Sequence, residues 1–141
     1  YDGETGAPVF PDTEHRQISQ MAWEFYPEGF TPLLCRAAET GLPVYVTENG
    51  VCCDDDRVRV KYVADHLAAV HDARAAGADI RGYFYWSAMD NFEWNFGYAP
   101  KFGLIEVDRK TLERRPRPSA HFFAELARTG RLTPELVRRY Q

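Results

Sequence analysis

Cysteine is scarce in this chain: three residues in 141, Cys35, Cys52 and Cys53. So small and odd a number gives no disulfide framework, which points to a reducing compartment and a cytoplasmic protein. Cys52 and Cys53 are adjacent, but no second Cys or His pair stands at ligand spacing, so they read as packed or loop thiols rather than a zinc site. Neither a metal nor a cofactor is expected. Long apolar runs are missing too, and no stretch reaches transmembrane length, so no membrane partner is expected. The opening Tyr1-Asp2-Gly3-Glu4 has neither the basic nor the apolar part of a signal peptide. It also has no initiator Met, which leaves open a start inside a longer protein and a targeting segment upstream. Clustered positive charge is nearly absent: net charge is -4 and the one basic cluster, Arg114-Arg115-Pro116-Arg117, is broken by proline. That reads as a solvated turn, and no nucleic-acid partner is expected. Internal repeats, low-complexity tracts and interdomain linkers are likewise missing.

What is present suffices for one ordinary domain with a core, since 45% of the residues are hydrophobic. Residues 1–20 are polar and interrupted by Gly3, Gly6, Pro8 and Pro11, a loop-rich lead-in with at most a short helical turn over 14–20. Leu33, Leu34, Ala37 and Ala38 share a helical stripe that stops at Gly41. Asp54-Asp55-Asp56 offers capping carboxylates to a helix whose Val60, Val63, Leu67 and Val70 recur at spacings of three and four up to Gly77. The aromatic stretch 82–87 reads as a buried strand. Further on, 102–107 and 112–115 flank a turn as a hairpin, Ser119 caps a helix ending at Gly130, and Thr133-Pro134 opens a last short helix.

The chain is organised around Pro43-Val44-Tyr45-Val46-Thr47-Glu48-Asn49-Gly50. As a strand, its two-residue alternation puts Val44, Val46 and Glu48 on one face and Tyr45 and Thr47 on the other. Asn49-Gly50 then turns the chain out of extended geometry. Spacing alone allows a turn with a solvated Glu. It also allows the carboxylate at a strand's C-terminal end where α/β barrels keep their chemistry. Strand, helix and strand over 43–87 make a βαβ unit, so the two strands should be parallel and adjacent, an α/β arrangement.

The second strand runs into Trp86-Ser87-Ala88-Met89-Asp90-Asn91-Phe92-Glu93-Trp94. Indoles beside carboxylates and amides suit a sugar, whose C–H faces stack on rings while its hydroxyls need bidentate acceptors. His66, His71 and His121 lie on helices, away from strand ends, and read as structural or surface groups.

Val46-Thr47-Glu48-Asn49-Gly50, Trp86-Ser87, Asp90-Asn91-Phe92-Glu93-Trp94 and Phe102-Gly103-Leu104 together resemble the family 1 glycoside hydrolases, the β-glucosidase family. Met21-Ala22-Trp23-Glu24 with Tyr26-Pro27-Glu28-Gly29 resembles the segment before the nucleophile strand there, and the similarity runs from about 21 to 126. The resemblance implies the C-terminal part of a (β/α)8 TIM barrel, with strands seven and eight, the barrel segment being 21–130 and 131–141 a terminal tail. It also implies that Glu48 is the nucleophile of a retaining β-glycosidase, Glu93 and Trp94 bind glycone hydroxyls, and Trp86 is the glycone platform. Phe102 would lie near the primary hydroxyl and Trp23 would be the aglycone platform. The Trp86-Ser87 peptide bond is often cis in the family.

A carboxylate such as Glu93 repels a phosphate dianion, which argues for an unphosphorylated glycone, a β-glucoside or short β-linked oligosaccharide. The family's Asn-Glu-Pro acid/base motif does not occur in this sequence. Retaining hydrolysis needs two carboxylates about 5 Å apart, so this chain alone is expected to be inactive and to need the missing N-terminal barrel segment. Two alternatives stay open: a non-catalytic sugar-binding or partner-binding module, and a half that docks onto a separate N-terminal half.

Overall fold

Two parallel strands, β1 (Val44–Asn49) and β2 (Ile80–Tyr85), lie side by side at the centre of the fold. The computed structural model describes residue 17 and residues 19–141, so most of the expected lead-in over 1–20 lies outside the described residues. Before β1 come a short 3-10 turn, Pro27–Gly29, and α1 (Phe30–Ala38); α2 (Asp56–Ala75) crosses over between the strands. After β2 follow a 3-10 turn at Trp94–Phe96, the antiparallel pair β3 (Ile105–Val107) and β4 (Arg114–Pro116), then α3 (Pro118–Thr129) and α4 (Pro134–Tyr140).

The helices cover one face of the strand pair. Val46 and Ile80 pack with Leu34 of α1 and Ala73 of α2. Tyr85 packs with Val60, Val63 and Ala64 of α2, Phe122 and Leu126 of α3 and Leu136 of α4. Tyr83 borders both clusters and so joins them. The other face is open: Tyr45 and Phe84 are 53% and 58% exposed. Their rings flank Gly82, where an added Cβ would fall 2.6 Å from the Tyr45 ring. Each strand has one hydrogen-bonded neighbour among the described residues, leaving its outer edge unpaired.

Helix starts follow local chemistry. Asp55 caps α2 by accepting from the Arg57 N–H at 3.0 Å, and Thr133 caps α4 by accepting from the Leu136 N–H at 3.2 Å. The cap expected at Ser119 falls instead at Arg117, with Pro118 opening α3. Ser119 sits inside the first turn, fully buried, and its N–H and hydroxyl donate to Asp56 at 2.7 and 2.8 Å. A long-range carboxylate, not a local cap, is what this serine serves. The second strand begins and ends two residues earlier than its aromatic run suggests, because Ile80 is buried against α1 and α2 while the chain leaves the sheet at Trp86. The hairpin strands are also shorter than expected.

The alternation expected for β1 is corrected at the position that matters most. Val46 pairs with Tyr83 and Asn49 with Tyr85, so three steps on β1 oppose two on β2, a bulge. Val46 is buried on the helix side and Asn49 returns to that side, bonded to Tyr62 of α2. The extra residue breaks the two-residue period between them. Glu48 therefore does not follow the valines into the helix layer and is exposed.

Candidate functional site

Glu48 is the penultimate residue of β1, and the last, Asn49, is tied to the residue that follows β2. The Trp86 N–H donates to the Asn49 carbonyl at 3.0 Å. At the next residue the approach is closer still: any Cβ on Gly50 would overlap the Trp86 carbonyl. Only glycine fits there, for reasons of space. Trp86 is 37% exposed and joined to Ser87 by a cis peptide bond.

The chain from Trp86 to Trp94 is held by its own polar residues. Ser87 and Ala88 carbonyls accept from Leu104 and Ile105 N–H groups, both at 3.0 Å, and the Asp90 N–H donates to the Ile105 carbonyl at 3.0 Å. Asn91 donates to the Ser87 hydroxyl at 2.9 Å. The Asp90 carboxylate receives the Gly103 N–H at 3.0 Å and the Arg117 guanidinium, which also reaches the Gly103 carbonyl at 2.5 Å. Gly103 has no room for a Cβ because the Met89–Asp90 backbone lies against it. Burial opposes the charge on Asp90, but the Arg117 guanidinium and the Gly103 N–H outweigh it, and the carboxyl lies below the usual range.

This frame presents Glu93 and Trp94. Glu93 is half-buried, its N–H donating to the Gly97 carbonyl at 2.7 Å. Trp94 is 77% exposed, with a positive φ of 46° in a conformation that large side chains rarely adopt. Phe92 meets Tyr98 edge-on at 5.3 Å, and Arg109 stacks over Tyr98 at 4.3 Å while also bonding the Asp90 carbonyl.

Phe102 and Trp23 come together, ring centroids 6.0 Å apart. Phe102 is 3% exposed, leaving little of its ring for a ligand, whereas Trp23 is 51% exposed. The Ser87 N–H donates to the Phe102 carbonyl at 3.4 Å, so backbone bonds run from Asn49, beside Glu48, through Trp86 and Ser87 to Phe102, whose ring meets Trp23.

Beneath the site lies a brace that sequence reasoning missed. Arg59 is fully buried, ion-paired to Asp56, and donates to the carbonyls of Cys53 and Lys101 at 2.8 and 2.6 Å. It thus fastens the loop after Glu48 to the loop before Phe102. The signal was there: Arg59 falls on the stripe of Val63, His66 and Val70, where a charge needs buried partners. Burial pushes the Cys53 thiol up to about 11, which keeps it protonated and unreactive. His66 is buried and stacked on Tyr62 at 3.9 Å, whereas His71 and His121 are exposed, away from the site.

The family model described as Glycosyl hydrolase family 1 matches residues 4–131. A β-galactosidase from Pyrococcus woesei is 40% identical over 124 residues, 87% of this chain but 24% of that protein. A 6-phospho-β-galactosidase from Streptococcus equi is 41% identical over 118 residues, 76% of this chain and 25% of that protein. Among solved structures, a β-glycosidase from Pyrococcus horikoshii superposes with a TM-score of 0.84 at 49% identity, covering 88% of this chain and 29% of that one. The chain spans about a quarter of the length of the curated relatives it matches.

Proposed function

The chain belongs to glycosyl hydrolase family 1, and from that membership we propose that it is the closing segment of a (β/α)8 barrel whose complete form is a retaining β-glycosidase. Its structural neighbours are β-glycosidases of which it covers about three tenths, as a partial barrel does. In this reading β1 and β2 are the seventh and eighth strands. The open face with Tyr45 and Phe84, and the unpaired outer edges, receive the remaining strands.

Glu48 is the nucleophile. The observation that carries this is the bulge, which brings a carboxylate at a strand's C-terminal end onto the exposed side, one residue from the contact with Trp86. A Glu48 oxygen attacks the anomeric carbon as the glycosidic C–O bond breaks, and the leaving oxygen takes a proton from an acid elsewhere in the barrel. Water then attacks the glycosyl-enzyme with that same group as base, releasing Glu48 and the sugar with retained configuration.

Trp86 supplies the glycone platform, Glu93 accepts from glycone hydroxyls and Trp94 donates through its indole N–H. Trp23 stacks against the aglycone or next sugar, with Phe102 packed under it. The Glu93 carboxylate favours an unphosphorylated β-glucoside or short β-linked oligosaccharide over a phosphorylated glycone. The thiols, none of them in a disulfide, support a cytoplasmic protein. Treating the complete protein with a 2-deoxy-2-fluoro β-glucoside and mapping the adduct by peptide mass spectrometry tests the assignment. The label is expected on Glu48, and a label on any other residue would sink it.

A further inference from the structure

The bulge in β1 needs something to hold it. A strand of this sequence has a competing state in which alternation continues unbroken and Glu48 follows Val46 toward α2, because a one-residue slip moves every later side chain to the opposite face. The bulged form keeps Val46 and Asn49 on the helix side and releases the residues between them.

Asn49 is gripped there at both ends of its amide. The Tyr83 hydroxyl donates to its Oδ1 at 2.7 Å, and its Nδ2 donates to the Tyr62 hydroxyl at 3.1 Å. The two phenols come from different elements, one from β2 and one from α2. Tyr62 is itself fixed, stacked on His66 at 3.9 Å and met edge-on by Phe25 at 5.3 Å, with His66 in turn against Phe30 at 5.3 Å. The Asn49 backbone is held separately, through its carbonyl and Trp86. Burial raises both phenols, so they remain hydroxyl groups across the neutral range.

We propose that Tyr62 and Tyr83 are positioning residues for Glu48: by clamping the Asn49 amide on the helix side they fix the bulge, and with it the side on which the carboxylate emerges. The proposal rests on the reading of Glu48 as nucleophile. Neither phenol needs to touch the sugar. Each removes one alternative for Asn49, and losing either leaves a half-buried amide group short of a partner.

The test uses Tyr62→Phe and Tyr83→Phe in the complete protein, each of which deletes one oxygen and keeps the ring. Inactivation by a 2-deoxy-2-fluoro β-glucoside yields a rate constant and a dissociation constant separately, and circular dichroism gives the folded fraction. Each variant should lose about tenfold in the inactivation rate constant and in kcat, part of the roughly 10²-fold cost of a full 1 Å displacement of the reacting atoms. Inhibitor dissociation should stay within about twofold and the protein should remain fully folded at assay temperature. Wild-type rate constants in both variants, or losses matching a fallen folded fraction, overturn the positioning role alone. An unlabelled Glu48 in the wild-type protein overturns the nucleophile assignment and this proposal with it.

Discussion

Asp90 and Arg117 meet bidentately, Nη1 to Oδ1 at 3.1 Å and Nη2 to Oδ2 at 2.8 Å, with the Asp90 side chain 1% and the Arg117 side chain 15% exposed. Breaking such a pair strands a buried charge, at a cost of about 3–5 kcal/mol. Asp90→Ala in the complete protein should lose stability of that order in denaturant unfolding, and glycone affinity should fall with it, since the same pair anchors the loop that presents Glu93.

The same carboxylate predicts an acid limb. Its folded pKa is depressed, so its stabilisation is fully present above the unfolded value, about 3.9, and is lost as pH falls through the lower folded value. Stability measured from pH 5 to 2 should drop less steeply in Asp90→Asn than in the parent protein.

His66 acts higher on the pH scale. Burial lowers its pKa against the smaller raising effects of the Tyr62 carbonyl, Asp65 and Glu28. The unfolded chain therefore binds the proton more readily, and stability declines as pH falls below about 6.5 toward the folded value. Thermal melts at pH 7.5 and 5.5 should differ less in His66→Gln than in wild type.

Gly50→Ala meets backbone rather than a side chain that can swing away. A folded Gly50→Ala protein should lose about 10²-fold in kcat, the scale of a displacement near 1 Å at the reacting atoms. Kinetics on an aryl β-glucoside check this; activity within threefold of wild type would count against the close approach.

On the proposed reading, which places the acid/base elsewhere in the barrel, the 141-residue chain expressed alone should show no enzyme-like hydrolysis of aryl glycosides, since that group contributes about 10²–10⁴-fold. It should also melt broadly or aggregate, given its open aromatic face and unpaired strand edges. A sharp, reversible transition of a monomer would contradict this.

The helices, the parallel strand pair and the order of the motifs were legible in the sequence because they are written in local periods. Val60, Val63 and Leu67 announce α2 whatever lies around them. The face taken by Glu48 was not legible: a bulge is a property of pairing, and Val46 and Asn49 acquire theirs only from Tyr83 and Tyr85. Asp90 and Asn91 look like sugar ligands beside Glu93 and Trp94, yet in the fold they bond Arg117, Gly103 and Ser87 and hold the loop together. Ser119 has the composition of a cap and serves a carboxylate 63 residues away. Asp90 and Ser119 find their partners 13 or more residues away, beyond the reach of any local pattern, whereas Asn91 turns back onto Ser87, four residues earlier.

The contact of Gly50 with the Trp86 carbonyl also bears on engineering. Gly50, two residues after Glu48, and the backbone of Trp86 cannot shift independently. On the proposed reading of Glu48 and Trp86, libraries that vary position 86 or its flanks to change which sugar is accepted should therefore change turnover as well. Selecting for substrate preference alone at this strand end should return variants with coupled losses, and independent tuning should come more easily from Trp23, whose ring meets the site through Phe102 instead.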